Sequence, residues 1–190
     1  HYNDRNCNLM NMPNIIIDIV VPTYHRYEIL AETLQSVQDQ TYERWECWIA
    51  EDGVSEKTFA AVEPFLQDSR FHYLHGDHAG TPATPRNRAL RAGRAPYIAF
   101  LDDDDIWLPE KLAQQASFLK DHPRCVLLGS NAFIMKENQD YRRDNLPLYF
   151  KKAPFGRVPY KKLVEDDYFI NSSAVIRRSA LKYSGLQNET

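Results

Sequence analysis

The sequence predicts an α/β protein built on an open, mainly parallel β-sheet with helices on both faces. Two observations favour this fold class. Short runs of β-branched and aromatic residues alternate with segments whose apolar residues recur at helical spacing. In addition, the apolar run at residues 97–101, which leads into four aspartates at 102–105, is typical of a strand buried on both faces.

Each predicted element follows from its local pattern. Six strands are predicted from apolar runs bounded by turn residues, at 15–21, 45–50, 71–74, 97–101, 125–129 and 173–176. Helices are predicted between them from apolar periodicity, at 27–40, 56–67, 85–93, 109–119 and 178–183. Ser55 is the expected N-cap of the second helix, and Gly93 the expected end of the third. The buried face of the second helix is expected to carry four apolar residues, Phe59, Val62, Phe65 and Leu66.

Two segments lack this periodicity. Residues 75–85 contain two glycines and two prolines and predict a loop. Residues 137–160 are polar and aromatic and predict a long excursion with a short hairpin. Residues 1–13 are polar and unpatterned, so we expect a loose tail or a cloning remnant ahead of one domain at 14–190.

The totals exclude several classes of protein. A chain of 190 residues with 43% hydrophobic and 26% charged residues suits one domain with a sizeable core. The net charge of −3 predicts no general attraction to nucleic acid or anionic membranes. No apolar run has the length of a membrane span, and no secretory signal is visible. The three cysteines show no metal-ligand spacing, which favours reduced thiols in a cytoplasmic protein.

The aspartate run at 102–105 is the main candidate for chemistry. Adjacent carboxylates repel one another, and burial at a sheet edge increases the cost. A divalent cation such as Mg²⁺ or Mn²⁺ offsets this repulsion and commonly shares its site with substrate phosphates. The alternative is a solvated acidic turn whose last aspartate helps to start the next helix.

Two other strand ends carry unusual residues, at 22–26 and at 51–53. The carboxyl ends of parallel strands open onto one edge of a sheet, where ligands bind in this class of fold. We therefore expect one cleft there. It would hold a base and a ribose near the first two strand ends, and a metal-bound pyrophosphate near the aspartates.

Four motifs in this order resemble the family 2 glycosyltransferases, which have the GT-A fold. They lie at 20–26 (VVPTYHR), 51–53 (EDG), 85–90 (PRNRAL) and 97–107 (YIAFLDDDDIW). The resemblance runs from about residue 15 to about residue 186. It implies that the donor-binding part of the fold is complete to about residue 130.

The resemblance also implies roles for particular residues. Pro22, Tyr24 and Asp52 would line the nucleoside pocket, with Asp52 accepting a hydrogen bond from the base. The remaining roles fall on charged residues: Arg86 near the nucleotide, Asp102 on the ribose or metal side, Asp103 at the motif's variable position and Asp104 as a direct metal ligand.

Simpler interpretations stay open for several of these side chains. Pro22 could only end a strand, Tyr24 could be a packing aromatic, and Arg86 could be a surface helix residue. His75 and His78 lack a third ligand and are expected to face solvent. Four basic pairs are expected to be solvated: Arg142-Arg143, Lys151-Lys152, Lys161-Lys162 and Arg177-Arg178.

By resemblance, the protein transfers a sugar from a nucleoside-diphosphate donor to a hydroxyl of a glycan or glycolipid, with inversion and a divalent metal. UDP is the expected carrier by family frequency. Cell-surface polysaccharide synthesis in the cytoplasm, at the inner face of the membrane, is the expected setting, and peripheral membrane association stays open.

The catalytic base is expected beyond Thr190, since Asp166 and Asp167 come too early and Glu189 matches the segment before it. We therefore expect the 190-residue chain to bind nucleotide and metal but to transfer sugar poorly. A binding module without transfer activity and a Mg²⁺-dependent phosphotransfer domain are the alternatives.

Overall fold

The computed structural model of the chain describes residues 15–136, 139–140, 144–152, 156–159, 161 and 169–189. Six strands form one sheet: β1 (Ile17–Thr23), β2 (Trp45–Glu51), β3 (Phe71–Leu74), β4 (Tyr97–Phe100), β5 (Leu127–Leu128) and β6 (Val175–Arg177). The helices are α1 (Tyr27–Gln38), α2 (Glu56–Val62), α3 (Ala83–Ala92), α4 (Lys111–Asp121) and α5 (Leu181–Ser184). Single turns of 3₁₀ helix lie at Glu63–Gln67, Asn171–Ser173 and Arg178–Ala180.

The sheet has the strand order β3-β2-β1-β4-β6-β5 and is mainly parallel, as predicted. β1 pairs in parallel with β2 and with β4, and β2 pairs in parallel with β3. Strand β6 runs antiparallel to both of its neighbours. The reversed strand is a feature that the sequence pattern does not reveal.

Helices cover both faces of the sheet. Alternate residues of β1 point to opposite faces, so Ile19 packs in the core with α1, α2 and α4, whereas Val20 packs with α3. All seven residues of β1 are buried. This explains why the strand is a continuous β-branched run.

β1 extends two residues further than expected, because Pro22 lies inside it. Pairing with β4 ends at Val20, whereas pairing with β2 continues to Thr23. Proline has no N–H to donate and is tolerated where only one side of a strand is paired. Pro22 therefore does not end the strand, and the strand carries it to the sheet edge.

Local sequence features explain both boundaries of α2. The Ser55 side chain accepts a hydrogen bond from the backbone N–H of Thr58, as expected for an N-cap. Pro64 follows Val62, and α2 gives way there to a 3₁₀ turn. The prediction that Phe59 is buried is wrong, since 43% of it is exposed.

Two further elements, α4 and β5, differ from their predicted bounds. The fourth helix begins at Lys111 rather than at residue 109, so the aspartate run does not cap it. β5 has two residues instead of five and lies at the edge of the sheet. Near the predicted excursion, Phe133 and Leu148 form an isolated antiparallel bridge, which agrees with a short hairpin.

A buried ion pair joins the late part of the chain to the centre of the sheet. Asp18 is 1% exposed, and its Oδ2 accepts hydrogen bonds from Arg178 Nη2 at 2.5 Å and from the backbone N–H of Ala95 at 2.8 Å. The Asp18 carboxylate also lies against Gly93, where it leaves no room for a Cβ atom. Arg178 is therefore not the solvated residue that the sequence predicted.

Several predictions concern other parts of the chain. Among the described residues, no helix is long and apolar enough to cross a membrane. Lys151, Lys152 and Lys161 are exposed, as expected. The predicted tail, and the predictions for Arg142-Arg143, Lys162, Asp166 and Asp167, lie outside the described residues.

Candidate functional site

The three strand ends meet in one cleft of roughly 600 Å³ at the carboxyl edge of the sheet. All seven residues that the sequence singled out line this cleft: Pro22, Tyr24, Asp52, Arg86, Asp102, Asp103 and Asp104. Three neighbours that it did not assign, Thr23, Arg26 and His78, line the cleft as well. The parallel strands place these groups together, because β1, β2 and β4 end on the same side.

One end of the cleft combines an aromatic ring with a buried carboxylate. Asp52 follows β2 and is 4% exposed. Its two oxygens accept hydrogen bonds from the backbone N–H groups of Ala79, at 2.8 Å, and Gly80, at 2.9 Å. Tyr24 follows β1 and is 46% exposed, so it is not a core packing residue. A flat ring beside an acceptor is suited to a heterocycle that carries an N–H group.

His78 also lies at this end of the cleft. Its Nδ1 atom is 3.0 Å from Asp52 Oδ2, and its ring stacks on Tyr24 with centroids 4.5 Å apart and an interplanar angle of 15°. His75 and His78 are exposed, as predicted, but the prediction did not include the contacts of His78 with Tyr24 and Asp52. The sequence offered no signal for these contacts, because they join three different loops.

The other end of the cleft is acidic. Asp102 Oδ1 accepts hydrogen bonds from Arg86 Nη2 at 2.5 Å and from Asn171 Nδ2 at 2.9 Å. The backbone N–H of Asp102 donates to Ser172 Oγ at 2.9 Å. Only 16% of the Arg86 side chain is exposed, so it is not a surface helix residue. The segment before β6 thus helps to fix the first aspartate.

Arg26 faces the next two aspartates. Its guanidinium contacts the Asp104 carboxylate, and Nη1 lies 3.8 Å from Asp103 Oδ1. Asp103 is 8% exposed, and its carbonyl accepts a hydrogen bond from Thr33 Oγ1 at 3.0 Å. The aspartate run is therefore a turn in which Asp103 is buried and Asp104 and Asp105 are exposed, and two arginines pair with three of its four carboxylates. Arg26 lies two residues after Tyr24 in the first motif, and that position was the only sequence signal for it.

Burial and charge shift the acidity of this cluster. Burial raises the pKa of Asp103, while the nearby Thr23 hydroxyl and Arg26 oppose the shift. Burial raises the pKa of Asp105 too, and the adjacent Asp104 carboxylate adds to the effect. The contact with Asp104 raises the pKa of Arg26. Both carboxyls with raised pKa values would be stabilised in their charged form by an added cation.

The donor set fits a hard divalent cation that is held jointly with a ligand. Within the described residues, no three His, Cys, Asp or Glu side chains converge into a complete metal cage. Mg²⁺-type sites commonly use only one or two carboxylates together with substrate phosphates and water. Asp102 and Asp104 offer such carboxylates to the cleft, and Asp104 has about half of its side chain exposed.

Comparison with known proteins places the chain in context. The sequence model described as Glycosyl transferase family 2 matches residues 18–185. One similar curated protein is the Escherichia coli UDP-Glc:alpha-D-GlcNAc-diphosphoundecaprenol beta-1,3-glucosyltransferase WfgD. It is 32% identical over 155 residues, which are 82% of this chain and 57% of that protein. Another is the putative colanic acid biosynthesis glycosyl transferase WcaA of E. coli K12, 29% identical over 78% of this chain and 54% of that protein. The chain spans about half the length of these two relatives.

Solved structures share the fold. S. aureus TarS 1-349 in complex with UDP superposes with a TM-score of 0.73 at 20% identity, covering 92% of this chain and 51% of that one. The mannosyltransferase PcManGT from Pyrobaculum calidifontis, in complex with GDP-Man and Mn2+, gives a TM-score of 0.66 at 17% identity over 91% and 47% of the two chains. These likenesses confirm the expected GT-A fold.

Proposed function

The chain belongs to glycosyl transferase family 2, and from this premise we propose that it carries the donor-binding half of an inverting, metal-dependent glycosyltransferase. The proposed reaction moves a sugar from a nucleoside diphosphate to a hydroxyl group of an acceptor. One observation carries the proposal. A single cleft combines Tyr24 and Asp52 at one end with the aspartate cluster and two arginines at the other. The two ends of the cleft therefore suit the two ends of one ligand, a heterocyclic base and a metal-bound diphosphate.

At the base end, the Tyr24 ring offers a stacking surface, and the Asp52 carboxylate accepts an N–H of the base. The two backbone hydrogen bonds to Asp52 leave other oxygen lone pairs free for this contact. Pro22 packs beside the nucleoside as part of the buried strand end. These roles require no movement of the sheet.

At the diphosphate end, Asp102 and Asp104 would hold the divalent cation, and Asp103 would add charge from a buried position. A cation bound there would stabilise the negative charge that develops on the leaving diphosphate. Arg86 keeps Asp102 oriented and lies beside the phosphates. Arg26 holds Asp104 and would be released if that carboxylate bound a metal ion.

We propose UDP as the carrier. Two observations favour it: the name of WfgD specifies UDP-Glc, and TarS has been solved with UDP and with UDP-GlcNAc. PcManGT was solved with GDP-Man, so GDP is the competitor to test. The sugar itself stays undefined by the cleft.

For the acceptor, we propose a lipid-linked glycan at the cytoplasmic face of a membrane. WfgD is named for a GlcNAc-diphosphoundecaprenol acceptor, and WcaA for colanic acid biosynthesis. The general base that removes the acceptor proton is assigned to none of the described residues. Its expected place beyond Thr190 stays a prediction.

The test combines binding with stereochemistry. Calorimetry should show UDP binding that strengthens when Mn²⁺ or Mg²⁺ is added, with weaker binding of GDP. For the full-length enzyme, NMR of the product formed from a UDP-sugar should show an inverted anomeric centre. UDP binding that ignores divalent metal would refute the metal site, and a retained configuration would refute the mechanism.

A further inference from the structure

His78 contacts both groups that the proposed function assigns to the nucleobase. Its imidazole stacks on the Tyr24 ring, with centroids 4.5 Å apart. Its Nδ1 lies 3.0 Å from Asp52 Oδ2, within hydrogen-bond distance. A flat ring that stacks on Tyr24 and places a nitrogen beside the Asp52 carboxylate is what a base would offer. The imidazole thus stands where a base would bind.

The two ligands cannot bind together in this arrangement. Aromatic centroids 4.5 Å apart leave no space for a third ring between Tyr24 and His78. An ionised carboxylate has about four lone-pair positions. Two of those of Asp52 receive backbone N–H groups, and His78 Nδ1 lies 3.0 Å from Oδ2. Because the imidazole covers one face of Tyr24 and stands beside Oδ2, a base that stacks on that face and reaches Asp52 competes with His78.

The geometry also shows which part can move. The backbone after His78 is held by the bonds from Ala79 and Gly80 to Asp52. The start of the loop is held where Gly76 pairs with Gly53 and lies against the guanidinium of Arg88. The His78 side chain, in contrast, is 50% exposed, so it can rotate into solvent without unfolding the loop.

We propose that His78 determines the nucleotide affinity of the cleft by competing with the base for Tyr24 and Asp52. This inference rests on the proposed function. Nucleotide binds only to the rotamer in which the imidazole has turned away, so the apparent affinity is reduced by the fraction of molecules in that rotamer. Because the imidazole is half exposed to solvent, the ring stack and the polar contact together favour the inward rotamer by about five- to twentyfold.

The competing hypothesis is that His78 turns only slightly and stacks on the other face of a bound base. The two hypotheses predict opposite changes in nucleotide affinity when the imidazole is removed. Competition means that removal of the imidazole strengthens binding, by the same factor for every ligand that carries a base. Direct stacking means that removal weakens binding, by a factor that depends on the base.

The experiment measures dissociation constants of UDP, uridine and inorganic pyrophosphate, with Mn²⁺, by calorimetry at one pH. The variants are His78→Ala and His78→Phe, the latter keeping the stack on Tyr24 but losing the contact with Asp52. His75→Ala is the matched control. It removes an imidazole from the same loop, where the centroid of the His75 ring lies 5.8 Å from that of the Tyr73 ring.

Under competition, His78→Ala binds UDP and uridine about five- to twentyfold more tightly than wild type, and His78→Phe falls between them. Pyrophosphate affinity stays unchanged, as does UDP affinity in His75→Ala. In wild-type protein, the His78 ring protons should also shift in NMR spectra when UDP is added, because the ring leaves Tyr24.

Unchanged or weaker UDP binding by His78→Ala overturns the inference. So does an NMR spectrum in which the His78 ring protons do not shift when UDP is added. The failure of the proposed function is distinguishable from this result. If wild type and all variants bind neither UDP nor uridine, the nucleotide site itself is refuted. If wild type binds UDP but His78→Ala shows no gain, only the competition is refuted.

Discussion

Replacement of Arg26 by glutamine tests whether the arginine occupies the place of a metal ion. The Arg26 guanidinium contacts Asp104 and lies 3.8 Å from an Asp103 oxygen. A divalent cation bound to Asp104 must displace this contact. Arg26→Gln should therefore strengthen Mn²⁺ binding in the absence of nucleotide.

The size of the effect follows from the exposure of the pair. The side chains of Arg26 and Asp104 are 51% and 47% exposed. Ion pairs at this exposure are worth about 0.2–1 kcal/mol, because solvent screens them. Since 1.36 kcal/mol corresponds to a factor of ten, the pair lowers metal affinity by roughly 1.4- to fivefold. Loss of the arginine should restore that factor.

The assay is titration of Mn²⁺, followed by electron paramagnetic resonance of the free ion. Arg91→Gln is the control, since Arg91 has a comparably exposed side chain and pairs with another carboxylate, Glu189, at 3.3 Å. That variant removes the same charge away from the cleft and should leave Mn²⁺ binding unchanged. Weaker Mn²⁺ binding by Arg26→Gln, or an equal gain in Arg91→Gln, would refute direct competition at Asp104.

Three further predictions concern the metal, the buried ion pair and a buried lysine. Asp104→Ala should abolish the metal-dependent part of UDP binding, while Glu189→Ala should leave it unchanged; normal UDP–Mn²⁺ binding by Asp104→Ala would exclude Asp104 as a ligand. Arg178→Met should lower the free energy of unfolding by about 3–5 kcal/mol in urea titrations, because it leaves the Asp18 carboxylate buried without its cation. Lys111→Met should raise the free energy of unfolding at pH 7 by about 1 kcal/mol, because Nζ is buried without a hydrogen-bond partner among the described residues and its contact with the Trp107 ring, at 3.5 Å, offsets only part of that cost. Burial holds the pKa of Lys111 well below 10.5, so the folded state binds fewer protons than the unfolded state between the two values. Wild-type stability should therefore gain from Lys111 as pH rises through that range, and Lys111→Met should lack this gain; equal pH dependence in the two proteins would show that the amine is solvated.

The fold class, and the sheet edge at which the candidate cleft lies, could both be predicted from the sequence. Runs of β-branched residues can be buried on both faces only in a covered sheet, and their alternation with helices implies parallel strands. Parallel strands end on one edge, so Tyr24, Asp52 and Asp102 had to approach one another. These conclusions depend only on local pattern and chain direction, which a sequence states directly.

The pairing of side chains could not be predicted in this way and depends on the tertiary fold. Asp18 and Arg178 are 160 positions apart, and the strand that brings them together runs against its neighbours. No local periodicity encodes a pairing over that separation. The direction of an edge strand likewise depends on the path of the chain around the sheet.

Long-range folding also explains why the contacts of Arg26 and His78 in the cleft were not predicted. Arg26 ends the first motif and His78 lies in none, and neither position predicted that these residues contact Asp104 and Asp52 across different loops. Their positions result from loop geometry and from competition among charges for few partners. Sequence motifs predict which groups a ligand contacts. The tertiary fold determines which other side chains of the protein contact those same groups when no ligand is bound.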